Sequence, residues 1–435
     1  MGRYLNQGNE SFEKSVNSEI YIDKTGLIKY TNRVLNTLQG YVCISRPRRF
    51  GKSMAANMLT AYYSRGCDSG QLFAGFEIAE SPDFEKYRNK YNTISLNMQE
   101  FLSRSSNVED LLSRVEKLVL RDLKKEYPDV DYFDETDLTG SMQDVYEEKK
   151  CPFIVIIDEW DCISREFASN KEAQERYLDF LRNMLKDKAY IHLVYMTGIL
   201  PIKKYGTHSA LNMFDEFSMI SPGPLASYVG FTEEEVEKLC RQHQMEIEEV
   251  KSWYDGYSFP AAPSVYSPRS VVNSMLFGKI ENYWNQTETF EALQVYIDMN
   301  FAGLKDDVLS MIAGESVPVN TGSFINDMTT FRTEDDVLTL LIHLGYLAYD
   351  LETKTVKIPN NEVRSEYVNS VAASDWGEVS KALKDSADIL NAISQMKKKE
   401  YCRSLEEYEG NILLVGVNYN KKTKAHECII EEYHK

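Results

Sequence analysis

Several things are scarce in this 435-residue chain, and each scarcity narrows what it can be. Its seven cysteines lie far apart, none in a Cys-x-x-Cys pair, and their number is odd. That argues against a zinc ribbon or a disulfide framework and leaves reduced thiols in a cytoplasm as the expectation. Positive charge is short: 49 Lys and Arg face 67 Asp and Glu, a net charge of −18. Such a surface repels a phosphate backbone, so nucleic acid would need a local basic groove. The N-terminus is polar, with no apolar signal core, and no run approaches the ~18 apolar residues of a membrane span. The expectation is a soluble intracellular protein with no membrane partner.

What is present is enough for two to three domains with real cores: 43% hydrophobic residues, 12% aromatics, and 28 tyrosines against 19 phenylalanines. The tyrosine excess points to many half-buried, amphipathic positions. The stretch that organises the chain is Val42–Ser53. An apolar run breaks into Arg46-Pro-Arg-Arg-Phe-Gly-Lys-Ser53, and Met54 opens a helix-like segment reaching about Ser64. Strand, phosphate loop, helix is the order in which backbone N–H groups surround phosphate oxygens, a lysine neutralises them and a serine hydroxyl reaches Mg²⁺. The general pattern wants glycine where Arg46 stands.

Asp23 is placed to cap a helix from Lys24 to about Leu35, leading into a strand over Tyr41–Ser45. Further strands are expected at Ile94–Met98, Phe153–Ile157, Tyr190–Met196 and Phe217–Ile220, separated by helices over about 108–119 and 171–187. Strands alternating with helices imply an α/β fold whose mainly parallel five-stranded sheet is covered on both faces. The clearest strand, 153–157, delivers Asp158-Glu159 at its C-terminal end, about 105 residues after Ser53. A strand-ending carboxylate pair in that order is the second half of an ATPase site: Asp158 holds Mg²⁺ with Ser53, and Glu159 orients or deprotonates the attacking water. Thr197, ending the next strand, is either a polar group facing the γ-phosphate or an ordinary strand-ending threonine. Lys203, Lys204 and His208 follow in a loop, His208 reading as a surface or packing histidine. Arg46, Arg48 and Arg49 can serve phosphate, nucleic acid or a neighbouring subunit, the first being preferred. Arg165 is a candidate transition-state arginine, with a structural ion pair as the commoner use.

Together these residues resemble the AAA-ATPase-like family, P-loop ATPases usually fused to a C-terminal nuclease-type domain of the PD-(D/E)XK superfamily. The resemblance is carried by Tyr21-Ile-Asp-Lys-Thr25, Ser45–Ser53, Ile157-Asp-Glu-Trp-Asp161 and Tyr195-Met-Thr-Gly-Ile-Leu-Pro201. It continues through Trp253-Tyr-Asp-Gly-Tyr257 and Tyr266-Ser-Pro-Arg-Ser-Val271, covering about residues 1–360. It makes Arg46 a feature of the loop rather than a defect. It also implies that the loop Arg46-Pro47-Arg48-Arg49-Phe50-Gly51-Lys52-Ser53-Met54 binds ATP, that Ser53 and Asp158 hold Mg²⁺, that Glu159 is the catalytic carboxylate, and that Thr197 is the polar sensor. DNA enters as a partner through this resemblance alone.

Three segments are expected: an ATPase domain over 1–225, a helical lid ending in a winged-helix-like unit over 226–360, and a short α+β remnant over 361–435. Thr232 with Glu235 reads as a capping box for a helix over Glu233–His243, and Ser267-Pro268 as a helix start. The aromatics around Asp255 read as a packed corner rather than a base-stacking platform. Thr333 caps a helix followed by a hairpin of Tyr346–Asp350 and Lys354–Ile358, with Glu334, Asp335 and Asp336 discouraging phosphate contact. The tail shows apolar positions Trp376, Val379, Leu383, Ile389 and Ile393, then Lys397–Lys399 and a last hairpin near 411–419 and 426–430. A PD-(D/E)XK nuclease needs an aspartate on one strand and Glu-x-Lys on the next. No such pair stands between 361 and 395. Asp350 with Glu352 and Lys354 sits in a hairpin turn, and Glu249 with Lys251 on a helix. The expectation is a Mg²⁺-dependent ATPase switch with a lost nuclease core, against a non-hydrolysing scaffold or, third, an active nuclease.

Overall fold

The computed structural model describes residues 2–202, 211–284, 290–299, 301–324 and 330–373, and the backbone strands 412–419 and 426–433. The expectations for Lys203, Lys204, His208, Trp376, Val379, Leu383, Ile389, Ile393 and Lys397–Lys399 lie outside the described residues.

An uninterrupted apolar run makes a strand buried on both faces, and Phe153–Ile157 behaves this way. In β3 (Phe153–Asp158) every residue is buried. Phe153, Val155 and Ile157 join the core formed with the helices Val108–Glu126, Leu138–Lys149 and Lys171–Leu185. Ile154 and Ile156, equally buried, point the other way, as alternation in a strand requires. That side carries the helix Lys52–Tyr63. Around β3 lie β1 (Tyr41–Ser45), β2 (Asn92–Asn97), β4 (Ile191–Gly198) and β5 (Asp215–Phe217), in the order β2-β3-β4-β1-β5. All four pairings are parallel, so the carboxyl ends of β1, β2, β3 and β4 share one edge. Ligands of open parallel sheets bind outside that edge.

The fifth strand is displaced from its expected place at 217–220. It pairs Val42 with Asp215 and Ile44 with Phe217, because an edge strand is held by one ladder and needs no apolar run. Asp23 is likewise not the N-cap: the helix is Gly26–Val34 with Thr25 at its cap. Asp23 instead accepts the N–H groups of Thr25 (2.8 Å) and Glu77 (2.8 Å).

Beyond the sheet, β6 (Phe231–Thr232), β7 (Tyr257–Phe259) and β8 (Ala262–Tyr266) make a three-stranded antiparallel sheet in the order β6-β8-β7. The helices Glu233–His243, Ile247–Tyr254 and Pro268–Phe277 pack with it around Val236, Tyr254, Tyr266 and Val271. The capping box of Thr232 and Glu235 is formed. Pro268 opens its helix, but the Ser267 side chain makes no capping bond. Thr333 caps Glu334–Leu344 with Asp336 as its reciprocal partner, so one of the three acidic residues is buried in the cap. The hairpin that follows, β10 (Ala348–Asp350) with β11 (Thr355–Lys357), gains a third strand, β9 (Val317–Pro318). The last hairpin pairs β12 (Ile412–Tyr419) with β13 (His426–Tyr433).

The chain divides into two compact units, one of residues 1–284 and 300–363, the other of 285–299 and 364–435. Among the described residues no helix is long and apolar enough to cross a membrane.

Candidate active site

Four strands, β1 to β4, end at one edge. From β1 the chain enters the loop 46–51 and turns into the helix Lys52–Tyr63, whose first residue is buried. Lys52 donates through Nζ to the carbonyl oxygens of Arg46 (3.0 Å) and Pro47 (2.9 Å). Burial lowers the pKa of this ammonium, while Glu159, Asp161 and Asp158 act to hold the proton on. An ammonium satisfied by its own loop is one that phosphate oxygens can claim in exchange.

Beside it, Asp158 at the end of β3 collects hydrogen bonds from neighbouring elements. Ser53 Oγ donates to Oδ2 at 2.6 Å, and Asn97 Nδ2, from the end of β2, at 3.2 Å. Thr197 Oγ1, from β4, donates to Oδ1. A hydroxyl and a carboxylate in contact beside a phosphate loop fit magnesium, which takes one or two protein oxygens and completes its shell with water and phosphate. Glu159 follows in the left-handed region at φ 56, as Arg49 does at φ 69 in the loop. Non-glycine residues there cost on the order of 1–3 kcal/mol each and cluster at functional sites. Arg165 Nη2 holds the Glu159 carboxylate at 2.6 Å. Burial raises the Glu159 pKa, and Lys52 and Arg165 oppose that rise.

The expected loop residues divide in two. Arg48, Arg49, Phe50, Gly51, Lys52, Ser53 and Met54 line a cavity of about 630 Å³, together with Glu159. Arg46 is placed otherwise than expected, and the preferred phosphate role does not describe its side chain. Its guanidinium is fully buried, donates to Phe217 O at 3.1 Å and lies 5.2 Å over the Phe259 ring. Desolvation lowers its pKa to about 10. Only its carbonyl serves the site, through Lys52. Pro47 is buried in the same direction, against Gly345. Phe50 packs edge-on against Tyr257 at 5.3 Å while also reaching the cavity wall, so the aromatic corner at 253–257 is indeed packing.

Other walls of the cavity went unassigned in the sequence: Tyr21, Tyr228, Phe231 and Arg269. Two of these stand in stretches that carry the family resemblance, Tyr21–Thr25 and Tyr266–Val271. That was the available signal, since nothing in their spacing marks them as ligand contacts.

Residues 7–207 match the AAA-ATPase-like family, described as "Predicted AAA-ATPase". An uncharacterised protein of the vnfD 5′ region in Azotobacter chroococcum mcd 1 is 23% identical over 278 residues, which is 62% of this chain and 51% of that protein. The chain thus spans about half the length of the curated relative it matches. Among solved structures, the Walker-type ATPase PABY2304 of Pyrococcus abyssi aligns with a TM-score of 0.40 at 14% identity, over 79% of this chain and 94% of its own. The ORC2 protein of Aeropyrum pernix aligns with a TM-score of 0.34 at 12% identity, over 83% of this chain and 98% of its own.

Proposed function

We propose that this chain binds ATP with Mg²⁺ and hydrolyses it. The observation that carries the reading is the meeting of Ser53, at the start of its helix, with Asp158 and Thr197 at adjacent strand ends, next to a buried Lys52 and a strained Glu159. In this reading Lys52 leaves the carbonyls of Arg46 and Pro47 for phosphate oxygens. The loop N–H groups and the start of the helix Lys52–Tyr63 complete the cradle. Ser53 and Asp158 hold magnesium, whose chemistry is to neutralise charge on the transferred phosphoryl group. Thr197 fixes the Asp158 carboxylate by donating to it. Glu159 orients the attacking water and takes its proton. Arg48, Arg49 and Arg269 add positive charge to the cavity, and Tyr21, Tyr228 and Phe231 offer apolar faces for a base.

The lid role follows from the same walls. Arg269 and Phe231 belong to the region of β6–β8 and its helices, so bound nucleotide bridges that region to the phosphate loop. Nuclease activity forms no part of the proposal. Asp350 Oδ1 is occupied by the N–H groups of Glu352 and Thr353 (both 2.9 Å) in a hairpin turn, and Glu249 and Lys251 lie on the helix Ile247–Tyr254.

Phosphate release from Mg-ATP by purified protein tests the reading. Lys52→Ala is expected to lose nucleotide binding and turnover together. Glu159→Gln is expected to bind ATP normally and turn over about 10²-fold or more slowly, the usual effect of removing a general base. Wild-type rates in Glu159→Gln would remove Glu159 from its role. Tight binding without phosphate release by the wild type would favour the non-hydrolysing scaffold.

A further inference from the structure

We infer that Asp161 and Arg165 form a positioning relay for Glu159, tying the catalytic carboxylate to the end of β4. This rests on the hydrolysis reading above. Arg165 lies on the short helix Cys162–Glu166, six residues after Glu159 and one turn beyond Asp161, and its side chain reaches back to the Glu159 carboxylate. One guanidinium faces two carboxylates: Nη2 donates to Glu159 Oε2 at 2.6 Å, and Nε lies 3.3 Å from Asp161 Oδ2 as a charge contact, without a hydrogen-bond partner of its own among the described residues. Asp161 is fully buried, and the same Oδ2 accepts the N–H groups of Ile199 (3.0 Å) and Leu200 (2.8 Å). Those two amides follow directly on Thr197-Gly198. The Trp160 N–H donates to the Thr197 carbonyl at 3.0 Å, closing the connection from the other side.

The order of anchoring is therefore fixed. Backbone amides past the β4 threonine hold Asp161, Asp161 holds Arg165, and Arg165 holds Glu159. Stability alone is a poor reason for this arrangement. A buried cation between two carboxylates gains little over apolar side chains of similar volume, and Asp161 Oδ1 has no hydrogen-bond partner among the described residues. Orientation is the better reason. Glu159 leaves a left-handed backbone, and a carboxylate meant to align a water loses its effect when displaced. A misplacement of ~1 Å can cost about 10²-fold in rate.

The relay predicts a separation of turnover from binding in the full chain. Arg165→Gln is expected to lower kcat for Mg-ATP roughly 30-fold or more, within the range set by lost positioning. Affinity for a fluorescent ATP analogue should stay within about 3-fold, because Arg165 acts through Glu159 and not on the nucleotide. Arg165→Lys, which can reach Glu159 but cannot fork to both carboxylates, should recover part of the rate. In a Glu159→Gln background, adding Arg165→Gln should cost less than about 3-fold, since residues acting as a unit are not additive. If Arg165→Gln fails to fold, Arg165→Met keeps the buried stem and carries the same comparison. A wild type that hydrolyses ATP while Arg165→Gln keeps full kcat overturns the relay alone. So does an undiminished penalty in the Glu159→Gln background. A wild type that releases no phosphate overturns the hydrolysis reading, and the relay with it.

Discussion

His343 shows how far a single residue's chemistry can be driven by where the chain puts it. It sits on the core side of the helix Glu334–Leu344, 2% exposed, with Nδ1 lacking a partner among the described residues and its ring stacked on Phe324 at 5.9 Å. Desolvation, reinforced by the nearby Arg46 cation, pushes its pKa down to about 3. The unfolded chain takes up this proton near pH 6.5, where the folded chain refuses it. Stability is therefore complete above pH 6.5 and is lost progressively as pH falls toward 3. The loss between pH 6.5 and pH 5 is about 2 kcal/mol from this one group. His343→Leu removes the titration, so the difference in urea-unfolding free energy between variant and wild type should move by that amount, in the variant's favour, between pH 7.5 and pH 5. An unchanged difference at the two pH values would show that the folded chain takes up this proton as readily as the unfolded one.

Elements show both what was legible in the sequence and what was not. β3 was legible because a strand buried on both faces must be apolar throughout, and the carboxylates that follow it are conspicuous for the same reason. The helix Leu138–Lys149 was not: its buried positions, Leu138, Ser141, Met142 and Val145, fall at helical spacing, but a serine among them and a glycine beside them leave only three apolar residues to mark the stripe. β6 to β9 are two to five residues long, too short for alternation to register. Lys52, Ser53, Asp158 and Glu159 were readable from their residue types and order. The direction of the Arg46 side chain was not, since a loop residue's orientation is set by what packs behind it. That packing has a consequence for binding. Gly345 ends the helix Glu334–Leu344 at φ 88, and a Cβ there would lie 2.7 Å from Pro47 Cβ and Cγ. Tyr257 donates to the Gly345 carbonyl at 2.5 Å while its ring meets Phe50. Gly345→Ala should therefore weaken ATP binding about 5- to 30-fold from outside the cavity, the range that one or two kcal/mol of loop displacement produces. Gly314→Ala is the control, at φ 99 with no atom near a new Cβ. It carries a similar backbone penalty and should leave affinity unchanged. Equal effects on ATP affinity in the two variants would refute the coupling through Pro47.

At the scale of the molecule, the cavity is assembled from stretches far apart in the chain: 20–24, 48–55, Glu159, 228–231 and 268–272. Each is fastened independently of any ligand. Lys24 Nζ contacts Glu235 at 2.6 Å and donates to Ser227 O at 2.7 Å, joining the N-terminal stretch to the start of the helix Glu233–His243. Ile20 is buried in the same cluster as Val236 and Tyr254. Tyr257 braces Phe50 of the loop. Opening any of these stretches dismantles a wall of the cavity, so binding there is linked to the folding of the unit that carries them, residues 1–284 with 300–363. At a free Mg-ATP concentration a hundred times Kd, the unit should gain about 2.7 kcal/mol against unfolding. The gain should appear in calorimetry as a shift of its whole transition, and Lys52→Ala should abolish it. If ATP instead split the transition, moving one part and leaving another in place, the β6–β8 region would be folding apart from the parallel sheet. The lid would then be a separately stable body that the nucleotide recruits, rather than a wall already built into the site.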